Sequence, residues 1–203
     1  VLAVKPQMMA DACAPLTRFA GADTVILSIA AGKTIAWFTD IFGAEARIVR
    51  AMPNTPAAIG RGITVAVPND RTSQEQAAIS KALLEAVGEA ILGEDEALID
   101  AVTAVSGSGP AYVFLLIETM RQAGIEAGLP PEMAGRLAMV TVAGAGALAL
   151  ESGEDPATLR RNVTSPNGTT QEALGVLMAE DGLQPLMTRA IAAAARRSRE
   201  LAS

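Results

Sequence analysis

The first stretch of the chain, to about residue 95, alternates short β-branched runs with amphipathic segments. Val1–Val4 is a continuous apolar run closed by Lys5-Pro6, the pattern of a buried parallel strand. Gln7–Phe19 reads as a helix with Met8, Met9, Ala12 and Leu16 on one face, weakened in its second half by Pro15. Thr24–Ile29 is a second strand, ending in Ala30-Ala31-Gly32, and Lys33–Phe42 a helix carrying Ile35, Phe38 and Phe42 at helical spacing. Ala46–Ala51 is a third strand, and the rhythm predicts a parallel, doubly wound sheet. The proline-bracketed loop Met52-Pro53-Asn54-Thr55-Pro56 leads to a strand at Ile63–Val67. Ser73 and Gln76 have capping-box spacing for a helix to about Val87, and Ala90–Leu92 suits one last short strand.

From about Asp95 strand runs give way to helices. Leu98–Val105 leads into Ser106–Pro110, where Pro110 suits the first turn of a helix to about Gly124. Pro130-Pro131 opens another, through Leu150; short helices follow at Pro156–Arg161 and Thr170–Met178, and a long one at Gln184–Leu201. Leu137–Leu150 is apolar on nearly every face, interrupted only by Thr141. It is short for a membrane span and must be surrounded. The remaining helices are too few to cover it, which predicts a second copy sharing the core. A chain that opens mid-strand at Val1 is read as the tail of a longer product.

Composition narrows the chemistry. Of 203 residues 50% are apolar but only 3% aromatic, so the core is built from Ala, Val, Leu, Ile and Met. A net charge of −6 argues against nucleic acid or an anionic membrane as partner. The single Cys13 excludes an internal disulfide, and without histidine no metal site is expected and imidazole acid–base chemistry is excluded. What remains is a cofactor, carboxylates, hydroxyls, lysine and backbone dipoles.

Asn162–Thr170, N-V-T-S-P-N-G-T-T, concentrates such groups. Pro166 fixes φ, Asn167-Gly168 can take left-handed conformations, and Thr169 stands three residues before Glu172, the capping-box spacing. A helix start carries free N–H groups and a positive dipole end, so it can hold a carboxylate or phosphate. From spacing alone, a capped turn with no further role is the commoner outcome. Gly144-Ala145-Gly146-Ala147-Leu148-Ala149 matches a nucleotide fingerprint as a string, but it lies inside a helix and reads as close-packing residues. Ser106–Pro110 lacks a phosphate-binding lysine and reads as a structural turn. The ends of three strands, at Val4-Lys5-Pro6, Ile29–Gly32 and Met52–Thr55, are better placed, because open α/β sheets bind ligands there.

Together A-V-K-P (Ala3–Pro6), A-A-G (Ala30–Gly32), M-P-N-T-P (Met52–Pro56), V-S-G-S-G-P-A-Y (Val105–Tyr112) and V-T-S-P-N-G-T-T (Val163–Thr170) resemble the pyrroline-5-carboxylate reductase family, in the family's order and across essentially the whole chain. The resemblance implies an α/β Rossmann-like NADP-binding domain over residues 1–96, incomplete because its first strands are missing. An all-α dimerisation and substrate-binding domain follows over residues 97–203. It implies reduction of 1-pyrroline-5-carboxylate to L-proline with NADPH or NADH, in a cytoplasmic homodimer whose assembly beyond the dimer stays open. Carried over, Ala3, Val4, Lys5, Pro6, Ile29, Ala30, Ala31 and Asn162 bind cofactor. Glu96, Ser165, Gly168, Thr169 and Thr170 bind substrate, with Thr170 the catalytic candidate.

Two departures stand out. Asn167 replaces the usual first glycine of S-P-G-G-T-T, and the family's first strand, glycine-rich turn and next two strands are missing. Val1–Val4 is then expected to form an exposed apolar edge. Two other readings stand beside the resemblance: a truncated helical dimerisation module without activity, and another NADP-dependent reductase of a small keto or hydroxy acid.

Overall fold

The computed structural model describes residues 1–202. The chain divides into two compact units, Val1–Pro110 with Ile191–Ser203, and Ala111–Ala190. The change from strands to helices near Glu96 therefore falls inside the first unit rather than at its edge.

The first unit is built on a four-stranded sheet in the order β1 (Val25–Ser28), β2 (Arg47–Met52), β3 (Gly62–Pro68) and β4 (Gly88–Leu92). β1 and β2 run parallel, as do β3 and β4, but β2 and β3 are antiparallel. The uniformly parallel sheet expected from the alternating pattern is thus corrected to a mixed one. Between β2 and β3 the chain makes only a short 3-10 turn, Thr55–Ile59. A parallel return needs a crossover of roughly a dozen residues or more, so this connection can only fold back.

Alternate residues of the central strands face opposite sides of the sheet. Ile26 and Ile48 pack with Met9, Cys13 and Phe38 on one side, and Leu27 and Val49 with Ala66 and Leu84 on the other. β2 is buried continuously from Ile48 to Ala51, as a strand covered on both faces must be. Val1–Val4 contributes a single bridge rather than a full strand. Leu2 donates its N–H to the Leu27 carbonyl at 2.7 Å and accepts from the Ile29 N–H at 3.1 Å. Val1 is 74% exposed, while Leu2 is buried and Val4 partly so, so Val1–Val4 is not an open apolar edge along its length.

The helix expected over Gln7–Phe19 is instead one α-turn, α1 (Met9–Cys13), between the 3-10 segments Pro6–Met8 and Ala14–Phe19. Pro6 and Pro15, each early in a 3-10 segment, break the continuity. The buried face is Met9 and Cys13, while Met8 and Leu16 are exposed. α2 (Ile35–Phe42) starts two residues later than expected, because Thr34 takes the N-cap position, and α3 (Gln74–Glu85) starts as expected with a complete Ser73–Gln76 capping box. The stretch after Glu96 is short α4 (Ile99–Val102) and a π-helical segment, Thr103–Gly107, before α5 (Gly109–Glu126). Ser106–Pro110 is therefore a π-bulge running into a helix, not a turn. The Ser108 N–H reaches back five residues to the Thr103 carbonyl at 2.8 Å, and Ser106 Oγ donates to the Val102 carbonyl at 3.0 Å.

The second unit is helical. It holds most of α5, then α6 (Pro131–Ser152), α7 (Pro156–Asn162), α8 (Thr169–Leu177) and the start of α9 (Leu183–Ala202). α6 ends at Gly153, which takes the left-handed φ of 64° that closes a helix. Within this unit only Ala134 and Ala138 are buried hydrophobics among the described residues. Leu137, Met139, Val140, Leu148 and Leu150 of α6 are all exposed. A Cβ at Gly144 or Gly146 would meet open space, so at these two positions the small-residue stretch is not closely packed among the described residues. By length and composition alone, α6 and the segment Glu96–Glu126 could cross a membrane.

Candidate functional site

The first group of candidate residues gathers where β1 and the Leu2 bridge end. Because Leu2 pairs with Ser28 in parallel, Ala3–Pro6 and Ile29–Ala31 leave the sheet at the same end. Lys5 is extended and accepts the Met8 N–H at 2.9 Å, so Pro6 turns at once into its 3-10 segment. Ala30 is buried, its N–H directed to Ser28 Oγ at 3.3 Å. Gly32 then takes φ 73° and turns the chain toward α2. A cleft of about 390 Å³ opens here, lined by Pro6, Gln7, Ala31, Gly32, Lys33 and Leu201. Ala31 and Gly32 leave room beside the strand ends, which suits a flat ring lying against them. Lys33 is held over the Trp37 ring, 4.6 Å from its centre. At the third strand end, Asn54 Oδ1 accepts the Ile63 N–H at 2.9 Å, so its amide ties the β2–β3 return.

Glu96 is brought to the same region by contacts remote in sequence. Its Oε1 accepts the Ile35 N–H at 2.8 Å and the Arg50 guanidinium at 2.7 Å. Thr34 Oγ1 accepts the Trp37 N–H at 3.1 Å, so two side chains complete the start of α2. A carboxylate at a helix N-terminus is favoured by the dipole. Arg50 is 6% exposed in its side chain and Glu96 29%, which makes the pair a half-shielded link between β2, α2 and the segment before α4. Nothing local in the sequence announced it, because the partners lie 46 and 61 residues apart.

The second group lies in the helical unit, on the turn between α7 and α8. Asn162 closes α7. The Gly168 N–H donates to the Ser165 carbonyl at 3.0 Å, closing a turn with Pro166 and Asn167 at its centre. Asn167 has φ 59° and is the one non-glycine residue of positive φ among those described. Asparagine tolerates that region better than other side chains, so the replacement of glycine keeps the turn. Gly168 is extended at φ −90°, not left-handed as the Asn167-Gly168 pairing suggested. Its lack of a side chain matters for space, since a Cβ would stand 3.1 Å from the Ser165 carbonyl oxygen.

The capping box anticipated between Thr169 and Glu172 does not form. Gly168 is the N-cap, Thr169 is the first helical residue, and no side chain caps the start. Instead Gln171 Oε1 reaches back to the Asn167 N–H at 2.8 Å. The Gln171 and Glu172 N–H groups both bond the Gly168 carbonyl, at 3.1 and 3.3 Å. The first two amides of α8, on Thr169 and Thr170, have no hydrogen bond among the described residues. Thr170 is half-buried, whereas Ser165 and Thr169 are exposed. Free amides beside two hydroxyls form an anion-receptive helix start, open because capping is incomplete.

The profile of the pyrroline-5-carboxylate reductase dimerisation family matches residues 96–201. Pyrroline-5-carboxylate reductase of Pseudomonas aeruginosa is 47% identical over 202 residues, spanning 100% of this chain and 74% of the relative. The chain belongs to the pyrroline-5-carboxylate reductase family. The Arabidopsis thaliana reductase is 42% identical over 202 residues, covering 99% of this chain and 72% of the relative. The structure of the Coxiella burnetii reductase superposes with a TM-score of 0.94 at 38% identity, covering 100% of this chain and 75% of that one. That of Plasmodium falciparum pyrroline carboxylate reductase, with NADP bound, gives 0.85 at 28% identity, covering 99% and 80%. The expected architecture, a Rossmann-like α/β part followed by an all-helical dimerisation part, stands. A family of pyrroline-5-carboxylate reductases whose matching profile is one of dimerisation also accounts for a helical unit that covers so little of its own apolar surface.

Proposed function

We propose that the chain reduces 1-pyrroline-5-carboxylate to L-proline with NADPH or NADH, the last step of proline biosynthesis, as one subunit of a homodimer. What carries this reading is the family match across the whole chain, at 47% identity to a pyrroline-5-carboxylate reductase. Helices left apolar on their exposed faces support the dimer, since a second copy is the natural cover for them. The substrate, the cofactor and proline are small and water-soluble, which supports a cytoplasmic enzyme. Cell fractionation that recovered the activity in a membrane or secreted fraction would argue against that location.

We assign the cofactor side to the strand ends Ala3, Val4, Lys5, Pro6, Ile29, Ala30 and Ala31, with Asn162 as a further contact. The residues present fit a dinucleotide's nicotinamide end: small Ala30, Ala31 and Gly32 beside a cleft of about 390 Å³ at the ends of parallel strands. When bound, NADPH or NADH supplies the hydride. On the substrate side, the Thr169 and Thr170 amides receive the carboxylate, and the exposed Ser165 and the small Gly168 frame it. The Thr170 hydroxyl hydrogen-bonds the ring nitrogen, directly or through water, donating to the neutral imine or accepting from its protonated form, and holds the imine carbon in place. Glu96 lies at the edge of this assignment, one carboxylate oxygen spent on Arg50 and Ile35. Without histidine in the chain, the imine proton comes from solvent or from a substrate already protonated.

Thr170→Ala tests the role. A lost hydrogen bond to a charged group is worth about 1.5–3 kcal/mol, so kcat should fall roughly tenfold to a hundredfold with the KM for NADPH unchanged. Wild-type turnover in the variant refutes the assignment. Fluorescence titration of the chain with NADPH distinguishes an enzyme from a dimerisation module, which binds none.

A further inference from the structure

The last turns of α9 belong to the first compact unit, with the strand ends. There the Leu201 carbonyl oxygen lies 3.1 Å from where a Cβ on Gly32 would stand. The helix backbone thus touches the strand end that a glycine keeps bare. Leu201 also lines both clefts beside Gly32, the one of about 390 Å³ with Pro6 and Lys33 and one of about 310 Å³ with Thr103 and Ser108. One hydrogen bond fixes this helix end across 98 residues of sequence: Ser198 Oγ donates to Asp100 Oδ1 at 2.6 Å. Asp100 sits in α4, just past Glu96. A single short segment therefore carries two carboxylates, Glu96 joined to the start of α2 after Gly32 and Asp100 joined to the helix that lies against Gly32.

We propose that the end of α9 is the outer wall of the nicotinamide-side cleft, with Leu201 the apolar surface that keeps water from the bound ring. Ser198 and Asp100 are the positioning residues that hold this wall against Gly32. The inference rests on the strand ends being the cofactor side. It adds a specific element from the far end of the chain to that side.

The test measures NADPH affinity by fluorescence titration, and the KM for each substrate by steady-state kinetics, in the dimeric enzyme. Ser198→Ala, Asp100→Ala and Leu201→Ala are expected to weaken NADPH binding by about 5–20-fold, the scale of one charge-assisted hydrogen bond or one uncovered apolar wall. The KM for 1-pyrroline-5-carboxylate should change less than about twofold, and Ser198→Thr, which keeps the hydroxyl, should restore cofactor affinity. Unchanged NADPH affinity in all three variants overturns the proposal. So does a loss that follows only the folded fraction, measured by thermal unfolding, and is not rescued by Ser198→Thr. A wild-type chain that binds NADPH but does not reduce the imine refutes the reaction alone, and the affinities still judge the wall. A wild-type chain that binds neither NADPH nor NADH refutes the cofactor side and the wall together.

Discussion

The two compact units of this chain use apolar residues in opposite ways. In the first, the sheet is covered on both faces, and Met9, Cys13, Phe38, Ile48 and Val49 are all fully buried. In the second, comparably apolar helices bury Ala134 and Ala138 and leave Phe114, Leu115, Met139 and Leu148 about half exposed or more. The difference is not one of composition but of where the core is completed. The first unit completes the core around its central strands by itself, and the second presents half of a core. Each half-exposed side chain of Leu, Met or Phe gains about 1 kcal/mol on full burial, half of what a fully exposed one gains, and over the whole face a partner copy finds a large driving force.

The sharpest way to break the contrast is a charge on α6. Leu148 is 56% exposed in the single chain, so Leu148→Glu should be harmless to an isolated subunit. In a shared core it buries an unpaired carboxylate in each copy, at a cost of several kcal/mol. Light scattering should show monomers, with reductase activity lost. A dimer of native activity would mean that this face is not the covered one.

The closed unit makes the opposite prediction at Cys13. Burial raises the thiol above its ordinary range, so the neutral form is favoured in the folded state. The associated stability is full below the unfolded thiol's pKa and is lost as pH rises through the folded one. At neutral pH a thiol reagent should label native Cys13 more than about a thousandfold slower than the unfolded chain, since access needs an opening of the core. Labelling at the unfolded rate would show that the first unit is as open as the second.

Much of this organisation was legible in the residues. The strands at Thr24–Ile29, Ala46–Ala51 and Ile63–Val67, the Ser73 capping box and the helix opened by Pro131 are all set by local pattern and by prolines, and each is present. The family motifs named the candidate site residues. What local pattern could not carry was direction and distance. The antiparallel β3 follows from a connection too short to cross over, and the hydrophobic runs look alike in either direction. The Ser106–Pro110 stretch has the glycines of a turn but is held in a π-bulge by a backbone bond from Ser108 to Thr103. The missing Thr169–Glu172 box reflects competition, since Gln171 reaches back first and Gly168 takes the cap position. Glu96–Arg50 and Ser198–Asp100 join residues that only the fold makes neighbours.

A smaller effect separates the units at their polar links. Glu96→Ala leaves the Arg50 side chain, 6% exposed, without its carboxylate. Stability should fall by about 2–3 kcal/mol, read as a lower urea midpoint. A midpoint unchanged from wild type would show that the link contributes nothing to the closed unit. In the helical unit the comparable local device is the turn at Asn167, and its effect is slighter. Asn167→Ala should cost about 1 kcal/mol, because alanine at φ 59° lacks asparagine's tolerance of that region, while Asn167→Gly should be neutral or slightly stabilising. Equal stability of the alanine and glycine variants would mean that the turn changes conformation when substituted.

That same turn also keeps time. An exposed asparagine followed by glycine is the sequence in which the backbone nitrogen most readily attacks the side-chain amide carbon, releasing ammonia to form a cyclic imide that water then opens to aspartate or isoaspartate. Here Asn167 is exposed and Gly168 follows it without a Cβ to hinder the attack, though the Gly168 N–H is engaged with the Ser165 carbonyl at 3.0 Å. Ageing of this kind would set a carboxylate beside the two free amides assigned to the substrate's own carboxylate, and like charges there repel. Enzyme stored at mildly alkaline pH should therefore lose affinity for its imine substrate in step with deamidation of the peptide carrying Asn167. An Asn167→Gly enzyme should keep its affinity over the same storage, and equal loss in both would sink the link.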